Sequence, residues 1–153
     1  MKLLIGVMLL VLSTLIGYKL SEKYVLRKKF YKDFLTFNQV LTREISFMQG
    51  TIVSLVKGID FDGDFTDLLN YYINTGEFKF EKKYLSSEEI EYLKKYLKII
   101  GSGDKKTQLE FLGSVNFELN NKCATVNEDE KKYKTLYIKL GFLIGLIAMI
   151  ILL

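Results

Sequence analysis

The hydrophobic and polar positions divide the chain into three stretches. Sixteen uncharged residues, Leu3 to Tyr18, lie between Lys2 and Lys19, and fourteen more, Leu140 to Leu153, follow Lys139. Between these runs, apolar residues recur at helical intervals among charged ones. A helix of sixteen residues rises about 24 Å, against roughly 30 Å of bilayer hydrocarbon. Lys2, Lys19 and Lys139 can extend the runs by snorkelling, and starting the second at Leu136 gives 18 residues. Both runs are predicted to be transmembrane helices, residues 1–18 and 136–153, flanking a helical region at 19–135. A cleaved signal peptide is the rival reading of the first run. No Ala-x-Ala-like site follows Gly17, however, and Tyr18-Lys19-Leu20 is a poor place to cut. A buried core helix is the rival for the second, and its lack of polar residues argues against that.

The middle stretch predicts amphipathic helices. Phe30, Phe34, Phe37, Leu41, Ile45, Met48 and Ile52 are spaced by threes and fours, with Asn38, Gln39, Thr42 and Arg43 on the polar side. Glycines at 50, 58 and 63 break the next segment, which predicts short helices near 51–57 and 65–74, with Gly76 as a stop. "LSSEEI" is a capping box: Ser86 as N-cap, Glu89 at the third position, Leu85 and Ile90 as the hydrophobic staple. The helix it opens buries Ile90, Leu93, Leu97 and Ile100, flanked by Tyr92, Tyr96 and Ile99, and ends at Gly101 in a left-handed cap. Gly103 lets the chain reverse, and Asp104 caps the next helix. That helix carries Leu109, Leu112, Val115, Leu119, Cys123 and Val126 on one face, and nothing obliges it to stop before the second span. The fold class is therefore all-α: an antiparallel helical bundle flanked by two transmembrane helices.

Charge orients this plan. Of 22 Lys and Arg, only Lys2 lies outside the stretch between the spans. Lys19, Lys23, Arg27, Lys28, Lys29 and Lys32 follow the first span, and Lys131, Lys132, Lys134 and Lys139 precede or open the second. Positive residues near span ends stay cytoplasmic, so residues 19–135 are expected in the cytosol of a cell-membrane protein. The basic run beside the first span suits lipid headgroups. Its rival is a membrane-tethered nucleic-acid-binding protein, disfavoured by a net charge of only +4. Within the spans, Ser13 and Gly17, and Gly141 and Gly145, are pairs four apart; in a hairpin they share depths and allow close helix packing.

Chemistry is sparse. There is no His, and one Cys, Cys123, can form neither an internal disulfide nor a zinc site. Its stripe position reads as a small buried hydrophobe. "DFDGDFTD" gathers four carboxylates, but Gly63 and Tyr71 miss the glycine and glutamate positions of a calcium loop, so it reads as a turn with an N-cap at Asp62 or Asp64. No nucleophile–base pair, phosphate loop or metal-ligand cluster stands out. The expectation is a protein that is not an enzyme and needs no cofactor.

"STLIGYKLSEKY", "LTREISFMQGTIVSLV", "LKIIGSGDKKTQLEFL" and "KYKTLYIKLGFLIGLIAMIILL", in this order, resemble stage III sporulation protein AB of endospore-forming bacteria. The third is similar to a family segment built on Leu-Gly-x-Ser/Gly-Asp-x-x-x-Gln, with Thr107 where the family usually has Gly. The resemblance implies a cytosolic region similar to the cytoplasmic helical bundles of the type II secretion inner-membrane platform protein. It implies a non-enzymatic scaffold in the mother-cell membrane around the forespore, within a secretion-like channel complex. A secretion-type ATPase and other membrane proteins of that complex are the implied partners, with no nucleic acid; further copies of the chain are a candidate too. Glu44, Gly101, Gly103, Asp104 and Gln108 match the family pattern. Capping and turn chemistry is the simpler duty for these residues, and partner contact the functional one. Gln108, one turn after Asp104, has no capping duty on this reading and is expected to be a surface residue.

Overall fold

The computed structural model describes residues 2–47, 63–100 and 102–152. Among these, four helices and no strand occur: α1 (Lys2–Phe47), α2 (Asp64–Thr75), α3 (Ser87–Ile99) and α4 (Lys105–Leu152). The all-α class is as the sequence predicts. The expected helix near 51–57, Met48, Ile52, Asp62 and Gly101 lie outside the described residues. α4 runs unbroken into the second apolar run. Absence of proline permits helices of this length, because proline costs roughly 3 kcal/mol in a helix interior.

The chain forms two compact units, Met1–Lys28 with Thr125–Leu153, and Lys29–Ala124. In the first, the span unit, α1 and α4 pair antiparallel: Gly6 faces Met149, Gly17 faces Gly141, and Tyr24 stacks on Tyr133 at 4.8 Å. Among the described residues, two helices are long and apolar enough to cross a membrane, and their most apolar stretches are only 17% and 11% buried. A soluble core helix would hide most of that surface; here Met8, Ile16, Ile144 and Ile151 stand exposed.

In the second, the bundle unit, Phe30, Phe34, Phe37 and Leu41 of α1 are buried with Phe65, Leu68 and Leu69 of α2, Leu93 and Leu97 of α3, and Leu112, Val115 and Leu119 of α4. Aromatic rings fill the centre: Phe34 lies 5.1 Å from Phe65 and 4.7 Å, edge-on, from Tyr96. Two expectations change here. Tyr96 is a core residue rather than a flank, and Asn38 is fully buried rather than on the polar side. The Asn38 amide Nδ2 donates to the Leu112 carbonyl at 3.0 Å, and Tyr96 Oη donates to Asn38 Oδ1 at 3.1 Å. These bonds meet the desolvation cost that placed Asn38 outward. Cys123 is half-buried, its Sγ 3.4 Å from the Tyr31 carbonyl, and burial pushes its thiol pKa up, away from the reactive thiolate.

Local signals end the shorter helices. Gly76 stops α2 at φ 73°, its N–H donating to the Tyr72 carbonyl. Ser86 and Glu89 form the complete capping box of α3. At the start of α2 the cap is Gly63, not Asp64. Asp64 instead accepts from Tyr84 Oη at 2.7 Å and pairs with Lys82 at 2.9 Å. Burial would raise its pKa, but the Lys82 and Tyr84 bonds outweigh that and lower it.

Candidate functional site

The α3–α4 turn brings together three of the residues singled out in the sequence. α3 ends earlier than expected: Ile100 is the C-cap, with extended backbone, and its N–H donates to the Tyr96 carbonyl. Ser102 N–H and Oγ both donate to the Ile99 carbonyl, at 3.1 and 2.6 Å. Gly103 then takes φ 90°, a conformation that costs any residue with a Cβ. Asp104 caps α4: Thr107 Oγ1 donates to Oδ1 at 2.5 Å and Thr107 N–H to Oδ2 at 3.4 Å. Those two bonds, the hydroxyl's first, lower the Asp104 pKa. The hydroxyl bond is available because this chain has Thr rather than Gly at position 107.

Gln108 departs from expectation. Its Nε2 donates to the Ser102 carbonyl at 2.9 Å, so the side chain reaches back and closes the turn. Lys105 Nζ donates to the Ser46 carbonyl at 2.8 Å, tying the turn to the end of α1. Sequence reasoning passed over Lys105, since nothing local marks a contact 59 residues away. Glu44, half-buried on α1, is not joined to the turn by any contact observed among the described residues.

The second candidate cluster lies in the span unit. A Cβ on Gly17 would strike the Tyr137 carbonyl oxygen and come within 3.3 Å of Gly141 Cα. One on Gly141 would lie 2.6 Å from the Ser13 carbonyl oxygen, and one on Gly145 would strike Ser13 Oγ and approach Leu10 Cα at 2.7 Å. The structure thus brings all four small residues, Ser13, Gly17, Gly141 and Gly145, to one interface. Gly6, not singled out in the sequence, extends it: a Cβ there would meet Met149 Cγ at 2.8 Å. Beside this interface, Arg27 pairs with Asp129 at 3.8 Å and Lys28 with Glu130 at 3.4 Å, so part of the basic run is neutralised within the unit. No group of three His, Cys, Asp or Glu capable of holding a metal occurs among the described residues.

The family model described as stage III sporulation protein AB (spore_III_AB) matches residues 74–153, just over half of the chain. The chain belongs to the stage III sporulation protein AB family. No curated protein and no solved structure matches it. The stage III sporulation protein AB match contains the capping box of α3, the turn with Gly101, Gly103, Asp104 and Gln108, and Gly141 and Gly145 of the second span. Glu44, Ser13 and Gly17, with the first two segments that carried the resemblance, precede it. Membership in this family links the chain to sporulation, and two helices able to cross a membrane fit a membrane protein.

Proposed function

We propose that the chain is a non-enzymatic membrane platform in a secretion-like sporulation complex, with its bundle unit in the mother-cell cytosol docking a secretion-type ATPase. The observation that carries this reading is the family match across the turn and the second span. Supporting it, the described residues form a helical bundle packed around aromatic and aliphatic side chains, with its one thiol half-buried and its pKa raised. The two spans are proposed to anchor residues 19–135 on the cytosolic side, a reading that the charge bias supports. Their small-residue faces, spent on each other, suit a stable hairpin more than a surface for further copies. A nucleic-acid-binding role has less to rest on, since Arg27 and Lys28 already face Asp129 and Glu130.

The test is purification of the tagged full-length chain, cross-linked in its membrane, from sporulating cells. Enrichment of the secretion-type ATPase over an untagged strain is expected. Its absence, with other membrane proteins of the complex recovered, overturns the docking role. Salt-dependent DNA binding by the purified chain would favour the nucleic-acid reading instead.

A further inference from the structure

The bundle unit keeps a groove open between α1 and α4. Gln39, Thr42 and Arg43 line it from α1, Gly113 and Asn116 from α4, around about 450 Å³. Three features of this groove are not accounted for by the fold. Asn116 Oδ1 is buried and accepts no hydrogen bond among the described residues. The neighbouring Thr42 hydroxyl cannot serve it, because it donates to the Asn38 carbonyl at 2.7 Å. Arg43 is exposed and forms no ion pair among the described residues. A Cβ at Gly113 would meet nothing within 4 Å, and one turn further along α4 Phe117 stands 70% exposed.

Each feature has a known physical use. A buried acceptor without a donor is costly, so each such atom calls for a physical account. An unpaired guanidinium offers a forked donor set that fits a carboxylate. A glycine on a helix surface lets a second backbone come close, and an exposed aromatic beside it supplies apolar area. Arg and aromatic residues are also the types enriched where protein interfaces concentrate their binding energy.

We propose that this groove docks an amphipathic helix of a partner protein, presenting a carboxylate to Arg43 and an apolar side chain over Gly113 against Phe117. The occupant is acidic because Arg43 brings to the groove a charge with no ion pair among the described residues, and amphipathic because Phe117 adds an apolar requirement beside it. This inference rests on the bundle unit being a protein-docking module and assigns the surface that does the docking.

The decisive variant is Gly113→Leu. It adds a side chain in open space at a helix position, so the purified full chain should melt no lower than wild type. The same side chain fills the groove, so strains carrying it should form at least tenfold fewer heat-resistant spores. Phe117→Ser and Arg43→Glu should act in the same direction, with Arg43→Lys retaining more function than Arg43→Glu. A photo-cross-linking residue at position 117 should yield an adduct, lost in the Gly113→Leu background, whose cross-linked peptide is acidic and helical in pattern. A basic peptide, or a segment of a second copy of this chain, overturns the assigned occupant. Normal spore yield in Gly113→Leu and Arg43→Glu overturns the groove itself. If the ATPase is absent from the wild-type complex while Gly113→Leu still blocks sporulation, the groove stands and the ATPase-docking reading fails. If the ATPase co-purifies equally with both chains and spore yield is unchanged, the reverse holds.

Discussion

Replacing Tyr96 by Phe removes one oxygen from the core of the bundle unit. That hydroxyl donates to Asn38 Oδ1 at 3.1 Å, and the Asn38 amide donates to the Leu112 carbonyl at 3.0 Å. Asn38 is 0% exposed and Tyr96 1%, so no water can substitute. Tyr96→Phe strands Asn38 Oδ1, at a cost of about 1–3 kcal/mol. Asn38→Leu keeps the branched shape, though with bulkier methyl groups, and strands the Tyr96 hydroxyl at a similar cost, while the Leu112 carbonyl keeps its place in the α4 ladder. The double variant strands neither group. Its destabilisation should therefore fall short of the sum of the single variants by both stranding costs, about 2–6 kcal/mol. The assay is urea unfolding of the full chain in detergent, followed through the near-ultraviolet signal of its tyrosines. The slope should be unchanged, so that midpoints report stability. Additivity to within about 0.5 kcal/mol would show that the two residues are not coupled, and the account of Asn38 burial would fail.

Three further outcomes follow from the same geometry. A cytosol-dependent reporter inserted near Lys82 should be active, and one fused after Leu153 should be silent; the opposite pattern reverses the orientation drawn from the charge bias. Gly141→Leu should lower the melting midpoint of the full chain because the added side chain meets backbone, whereas Gly113→Ala should raise stability by about 0.5–1 kcal/mol; equal shifts would mean the span helices can part without cost. Asp64 has a lowered pKa in the folded state, so its contribution is complete above its unfolded value of about 3.9 and is lost as pH falls through the folded value. Asp64→Asn should accordingly flatten the acid limb of the stability profile below about pH 4, and an unchanged limb would remove Asp64 from the account.

Much of this fold was legible because helices depend on residues within one or two turns of each other. The capping box at Ser86, the stop at Gly76 and the Phe30–Leu41 stripe all follow from local spacing, and all appear as expected. Failures occur where the deciding partner is distant in sequence. Asn38 sits at helical spacing from Phe34 and Leu41, so its position was compatible with burial; polarity placed it outward. What reverses that judgement is a pair of partners 58 and 74 residues away. Gln108 reads as a free surface amide until Gly103, at φ 90°, turns the chain so that the Ser102 carbonyl lies within its reach. The glycines make the same point at the candidate sites. Gly141, Gly145 and Gly113 all lie on α4, and nothing in their immediate neighbours separates a packing glycine from an open one. Leu10, Ser13 and Gly17 close in on the first two, while nothing approaches the third. The pairing of α1 with α4 decides which of these three glycines are consumed in folding and which stays open.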